Sequence, residues 1–296
     1  MRIIYIGCVL SSEIFLKELL SINKAEVVGI ITRKMSKINS DFVSLESIAK
    51  KHAIPCVFQE ETNEDKIAEW LGTLNADIIY CFGWSYLLKT KILQTTKLGA
   101  IGYHPALLPA NRGRHPIIWS LALGLKKTGS SFFFLEESAD SGDIISQREI
   151  DITNEDTAAT LYDKLLCVGK EQVQEFTKQL IDGTYKRLHQ DRSKANEWRK
   201  RSAPDGRIDW RMPAEGIYNL VRALTHPYIG ADFIYNNQEV KVWQAKVETE
   251  IMIPDNYEPG RVLDVSNNEL VVKCGIGAIR LIDYSIVEIQ KGECLL

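Results

Sequence analysis

Residues 99–148 read GAIGYHPALLPANRGRHPIIWSLALGLKKTGSSFFFLEESADSGDIISQR and hold the side chains best suited to proton chemistry. His104 leaves the carboxyl end of a predicted parallel strand, the place where open α/β sheets bind ligands. Farther on, ADSGD sets Asp140 and Asp143 around a glycine-containing turn that can return a carboxylate to the same crevice. A carboxylate beside an imidazole orients the ring and favours its charged form, which suits acid/base work near neutral pH. Taken singly, His104 also reads as a core histidine bonded to backbone, and Asp140 or Asp143 as a carboxylate capping its own turn. Arg112 and Arg114 read either as a solvated basic loop or as bidentate partners for a substrate phosphate.

Other chemistries fit less well. His104, His115 and Asp140 match no metal-ligand spacing, so no metal is expected. Gly7 follows the first strand, but IGCVLSS lacks the three-glycine dinucleotide fingerprint, which argues against a nicotinamide cofactor. Phe132, Phe133 and Phe134 read as a buried strand rather than as a stacking platform for bases.

The elements that position these residues follow from periodicity. IIYIG, EVVGIIT, PCVF and DIIYCFG alternate with helical stretches near 11–20, 44–51 and 66–74. That alternation predicts an α/β fold, a doubly wound and mostly parallel sheet. The strand GAIGYH, a helix near 116–123, a hairpin through SSFFFLEE and GDIISQREIDI, and a long helix over 156–181 complete it. Residues 190–206 lose the apolar period and carry a dense charge run, as a linker does. Beyond them, a helix near 214–224 and five short strands predict a small β-barrel. The expected organisation is a catalytic domain over 1–189, a linker over 190–206 and a barrel domain over 207–296.

Composition sets the outer limits. The 296 residues carry a formal net charge of −3 and 45% hydrophobic residues, enough for a packed core and not the mark of a generally basic surface for nucleic acid. Six cysteines without CxxC pairs fit reduced thiols, and MRIIYIGCVL is too short an apolar run for a membrane span or signal peptide. A cytoplasmic protein without membrane or nucleic-acid partners is expected, and exposed barrel edges point to a homodimer.

The run over 99–144 resembles the hydrolase and transferase family that uses 10-formyltetrahydrofolate, which includes methionyl-tRNA formyltransferases and sugar N-formyltransferases. Its pattern is Asn-x-His, a Ser-Leu-Leu-Pro-like turn, Arg-Gly, and Asp-x-Gly-Asp. His104 falls on the family histidine, Leu107, Leu108 and Pro109 on the turn, Arg112 and Gly113 on the Arg-Gly pair, and Asp140 on the catalytic aspartate, 36 residues after His104. RSAPDGRIDW and VRALTHPYIGA are similar to the start of the family's C-terminal barrel, so the likeness covers nearly the whole chain. It implies 10-formyltetrahydrofolate as formyl donor, bound along CFGWSYLL by Phe82, Gly83, Trp84, Tyr86 and Leu87, with Ser138 and Asp140 opposite. It implies no metal, and it places acceptor contacts at Tyr103, Arg112 and Arg114.

One position departs from the family: Gly102 stands where the family has asparagine, thought to hold the developing oxyanion. Losing one such donor typically costs about 2.7–4 kcal/mol of transition-state stabilisation. Asn111 is the first candidate to replace it, ahead of the Tyr103 hydroxyl, which strand alternation turns away, a backbone N–H or a water. The tRNA branch carries a basic insertion after the second strand, whereas ITRKMSKINSDFVSLES is short and mildly basic. The expected acceptor is therefore a nucleotide-linked amino deoxysugar, with methionyl-tRNA as the alternative. A third reading, from another class, is a folate- or nucleotide-binding module that has lost catalysis with the amide.

Overall fold

Short aliphatic runs and amphipathic segments give, in chain order, β1 (Arg2–Ile6), α1 (Leu10–Leu19), β2 (Glu26–Thr32), α2 (Glu46–Lys51), β3 (Cys56–Phe58), α3 (Glu64–Thr73), β4 (Ile78–Cys81), α4 (Thr90–Leu93) and β5 (Ala100–His104). Then follow β6 (Arg112–Gly113), α5 (Pro116–Ala122), β7 (Lys127–Phe134), β8 (Ile144–Asp151), α6 (Ala158–Asp182) and β9 (Glu197–Trp198). The chain continues with α7 (Ala214–Leu224), β10 (Ala231–Tyr235), β11 (Gln238–Glu248), β12 (Val262–Ser266), β13 (Glu269–Lys273) and β14 (Ala278–Tyr284). This computed structural model describes residues 1–36, 40–254, 256–285 and 287–295. Residues 37–39, part of the mildly basic stretch after β2, lie outside the described residues.

The chain forms two compact units, one of residues 1–113, 128–150 and 163–198, the other of 114–127, 151–162 and 199–296. In the first, seven strands take the order β3-β2-β1-β4-β5-β7-β8. β1 pairs in parallel with β2 and β4, β4 in parallel with β5, and β7 runs antiparallel to β5. This is the doubly wound, mostly parallel sheet that the alternation predicts. Ile6 registers with Cys81 and Cys81 with Gly102, so the carboxyl ends of β1, β4 and β5 open on one crevice.

Two local devices shape that crevice. Helix α3 starts two residues ahead of its apolar period because the Asn63 side chain accepts the Lys66 N–H at 3.0 Å and caps the first turn. At the start of α1, Ser12 Oγ accepts the Val9 N–H at 3.1 Å and donates to the Phe82 carbonyl at 2.6 Å. The approach needs Gly83, whose φ is +66° and where a Cβ would stand 2.2 Å from Val9 Cγ2. One face of the sheet is an aromatic core in which Phe82 meets Tyr5, Phe15, Tyr80 and Phe132 at centroid distances of 5.1–5.9 Å.

In the second unit five antiparallel strands take the order β10-β11-β14-β13-β12, with α7 laying Ile217, Leu220 and Val221 into the core. Arg280 on β14 donates to Glu248 at 2.7 Å through Nε and to Glu269 at 3.0 Å through Nη1, and the Glu248 side chain is only 4% exposed. Replacing Arg280 with Ala leaves that carboxylate buried and unpaired, so a loss of about 3–5 kcal/mol in unfolding free energy is expected by denaturant titration. The Glu250 backbone N–H and Arg280 hold the Glu248 carboxyl below its usual range. This stabilisation is present at neutral pH and disappears as pH falls through that lowered range.

Candidate active site

His104 ends β5 and is 5% exposed. Its Nε2 lies 2.7 Å from the Asn111 carbonyl oxygen, and a carbonyl only accepts, so Nε2 carries a proton. Its Nδ1 faces Asp140 Oδ2 at 3.7 Å, beyond hydrogen-bond length. Asp140 Oδ2 is held by the Gly113 backbone N–H at 2.9 Å. Both Asn111, at φ +62°, and Asp140, at φ +54°, turn through the left-handed region, which Asn and Asp tolerate better than other side chains. A group lying beside the Nδ1–Oδ2 gap can bond both the ring and the carboxylate.

The turn between His104 and Asn111 is fixed from below. Ser131 Oγ donates to the Ala106 carbonyl at 2.6 Å, and Gln147 Nε2 donates to the Leu108 carbonyl at 2.8 Å. Gln190, 2% exposed, and Asn196 bond the two loops that carry Asp140 and Asn111. Sequence reasoning missed both, because they stand in a polar, aperiodic segment where nothing marks them.

Gly102 shares the His104 face, two residues upstream. A Cβ there would stand 2.5 Å from Leu135 Cδ2 and 3.1 Å from Phe133 Cζ, so Leu135 fills the space an asparagine side chain needs. Gly102→Asn is expected to destabilise the chain by about 1–3 kcal/mol through overpacking, and a simultaneous Leu135→Ala to recover most of it, as thermal or denaturant unfolding would read.

The structure brings some predicted residues together and sends others elsewhere. Asn111, expected as a side-chain donor to the oxyanion, meets His104 through its backbone carbonyl. Tyr103 does not share the His104 face. Strand alternation packs its ring at 5.2 Å from Phe15 and 4.7 Å from Phe132, and burial pushes the phenol up. Phe82 is likewise fully buried, so only its backbone borders the crevice. Gly83 follows it, then Trp84 and Tyr86 in edge contact at 5.9 Å, and Tyr86 and Leu87 are 47% and 66% exposed. Beside them opens a cavity of about 890 Å³ lined by Leu87 and Leu88 together with charged residues that include Glu64, Asp65, Lys89 and Lys91. Ser138 lies exposed on the Asp140 loop, its carbonyl accepting from Ser141 at 2.9 Å.

Arg112 turns to Gln190, donating to its Oε1 at 2.7 Å. Arg114 belongs to the second unit, where burial, joined by Arg114, Lys200 and Arg201, pushes His115 below the usual imidazole range. Asp143 pairs with the exposed His189 at 3.1 Å rather than with His104. Phe132, Phe133 and Phe134 are at most 4% exposed, a buried strand. All six cysteines are free. Among the described residues no group of three His, Cys, Asp or Glu side chains could hold a metal ion, and no helix is long and apolar enough to cross a membrane.

The formyl transferase family model matches residues 1–177, and the model for the formyl transferase C-terminal domain matches 200–293. A methionyl-tRNA formyltransferase of Bacillus velezensis is 32% identical over 285 residues, 95% of this chain and 88% of that protein. Among solved structures, the sugar 3N-formyl transferase WlaRD, crystallised in the presence of dTDP and 5-N-formyl-THF, superposes with a TM-score of 0.71 at 20% identity, over 95% of this chain and 97% of the other. An N-formyltransferase from Helicobacter canadensis, in complex with folinic acid and dTDP-3-aminofucose, gives 0.73 at 17% identity, over 95% and 98%.

Proposed function

Because this chain belongs to the formyl transferase family, we propose that it moves a formyl group from 10-formyltetrahydrofolate to the amino group of a nucleotide-linked amino deoxysugar. The observation that carries the chemistry is His104 facing Asp140 at a strand's carboxyl end, its other nitrogen fixed on a carbonyl. We place the donor at the segment after β4, where exposed Tyr86 and Leu87 lie beside an open cavity of about 890 Å³ with a mixed apolar and charged lining.

The acceptor amine forms a bond to the formyl carbon as the bond from that carbon to N10 breaks, and the proton lost by the amine ends on N10. Asp140 takes hold of the amine N–H and steers its proton. His104 keeps the Asn111 carbonyl on its Nε2 side and turns its other nitrogen, beside Asp140, to the oxygen that gains charge. With Gly102 supplying no amide, this ring is the principal donor to that oxygen.

The sugar acceptor rests on the stretch after β2. Arg33 bonds Glu60 at 2.9 Å and Lys34 pairs with Glu61, so its two described cations there already have carboxylate partners. A tRNA acceptor stem calls for cations free to displace counterions from phosphates. The likeness to a methionyl-tRNA formyltransferase supports the second reading, transfer to initiator methionyl-tRNA. Offering both acceptor classes with 10-formyltetrahydrofolate in parallel tests the choice: a formamide on the amino sugar is expected, and product on the tRNA alone overturns it.

A further inference from the structure

The segment over 188–198, which the sequence presents as the end of one domain and the start of a linker, touches both partners of His104. Leu188 and Ile144 exchange backbone hydrogen bonds at 2.8 Å, anchoring the segment to the start of β8. Gln190 then uses every polar group of its side chain. Its Nε2 donates to the carbonyls of Asp140 at 2.9 Å and Gly142 at 2.7 Å, and its Oε1 accepts from Arg112 at 2.7 Å. Six residues on, Asn196 Oδ1 accepts the Asn111 N–H at 2.5 Å, and the Asn196 carbonyl accepts the Arg112 N–H at 3.1 Å. β9 then runs parallel to β6, placing Trp198 opposite Gly113, whose N–H holds the Asp140 carboxylate.

We propose that this segment is a positioning strap, with Gln190 setting the Asp140 carboxylate on the Nδ1 side of His104 and Asn196 setting the Asn111 carbonyl on the Nε2 side. The strap touches no reacting atom; it acts through the two groups that fix the ring. Both of those groups sit on left-handed residues in short loops, where the loop backbone alone leaves their orientation to the hydrogen bonds that hold it. Gln190 suits the task because a buried primary amide supplies two donors and an acceptor at once, and here both carbonyls and the guanidinium match them. The catalytic consequence rests on the formyl-transfer reading; the ring geometry does not.

The test is the ¹⁵N signature of the His104 ring, measured beside kcat and both KM values in Gln190→Ala, Gln190→Glu, Asn196→Ala and Asn196→Asp. The parent is expected to show a proton fixed on Nε2. Asn196→Ala is expected to release that lock and lower kcat, while Asn196→Asp, which keeps the accepting oxygen, restores both. Gln190→Glu keeps the acceptor for Arg112 but loses both donors, so it is expected to behave as Gln190→Ala. Misplacing catalytic groups by about 1 Å costs on the order of 10²-fold in rate, and a drop of about ten- to a hundredfold in kcat with little change in either KM is expected. A ring whose ¹⁵N signature and turnover match the parent in Asn196→Ala and in folded Gln190→Ala overturns the proposal. If the parent forms no formylated product, the formyl-transfer reading fails, yet loss of the Nε2 lock in the variants still upholds the strap.

Discussion

His104→Ala is expected to lower kcat for formyl transfer by about 10²–10³-fold, the usual effect of removing the main donor to a developing oxyanion. The KM values for donor and acceptor are expected to change little, because the ring contributes to the transition state more than to ground-state binding. The variant should fold. Truncation strands the Asn111 carbonyl, a group worth about 1–3 kcal/mol when left unsatisfied, against a core otherwise built from the aromatic face of the sheet. Steady-state kinetics with a thermal melt separate the two effects: a melt close to the parent with turnover nearly abolished is the expected pair. Turnover equal to the parent would remove His104 from the chemistry and favour a module that only binds folate or nucleotide.

Asp140→Asn is expected to be nearly as damaging, on the order of 10²–10⁴-fold in kcat. The substitution isolates charge from shape. Asparagine tolerates the left-handed backbone that Asp140 adopts at φ +54°, and its carbonyl oxygen can still accept the Gly113 N–H. What it cannot do is set a negative charge beside the ring or take the amine's proton. Asp140→Ala is expected to match it in kcat but to melt lower, since alanine pays for the left-handed conformation without the Gly113 bond. An Asp140→Asn enzyme with parental turnover would assign Asp140 a structural role in its turn.

Much of the scaffold was legible because its signals are local. Strand and helix periods announced the parallel sheet, and the exit of His104 from β5 followed from one buried run, GAIGYH. The alternation that turns Tyr103 from His104 was legible for the same reason. The pairing of His104 with Asp140 came from the resemblance, since nothing in spacing alone brings together two residues with β6, α5 and β7 between them. Least legible were Gln190 and Asn196: their hydrogen bonds reach back 50 residues to Asp140 and 85 to Asn111, and a polar residue bears no mark of a distant partner. The bulk of Leu135 over Gly102 was hidden too, because only packing across β5 and β7 brings them together.

We propose formamide formation on an amino sugar, using His104 and Asp140, as the activity of this chain. Its most direct test is mass spectrometry of nucleotide-linked amino deoxysugars after incubation with 10-formyltetrahydrofolate carrying a ¹³C-labelled formyl group, run with the parent and with His104→Ala. The expected result is an acceptor heavier by one labelled formyl group with the parent and little or none with the variant. An acceptor left unlabelled by the parent, or labelled equally by both proteins, contradicts it.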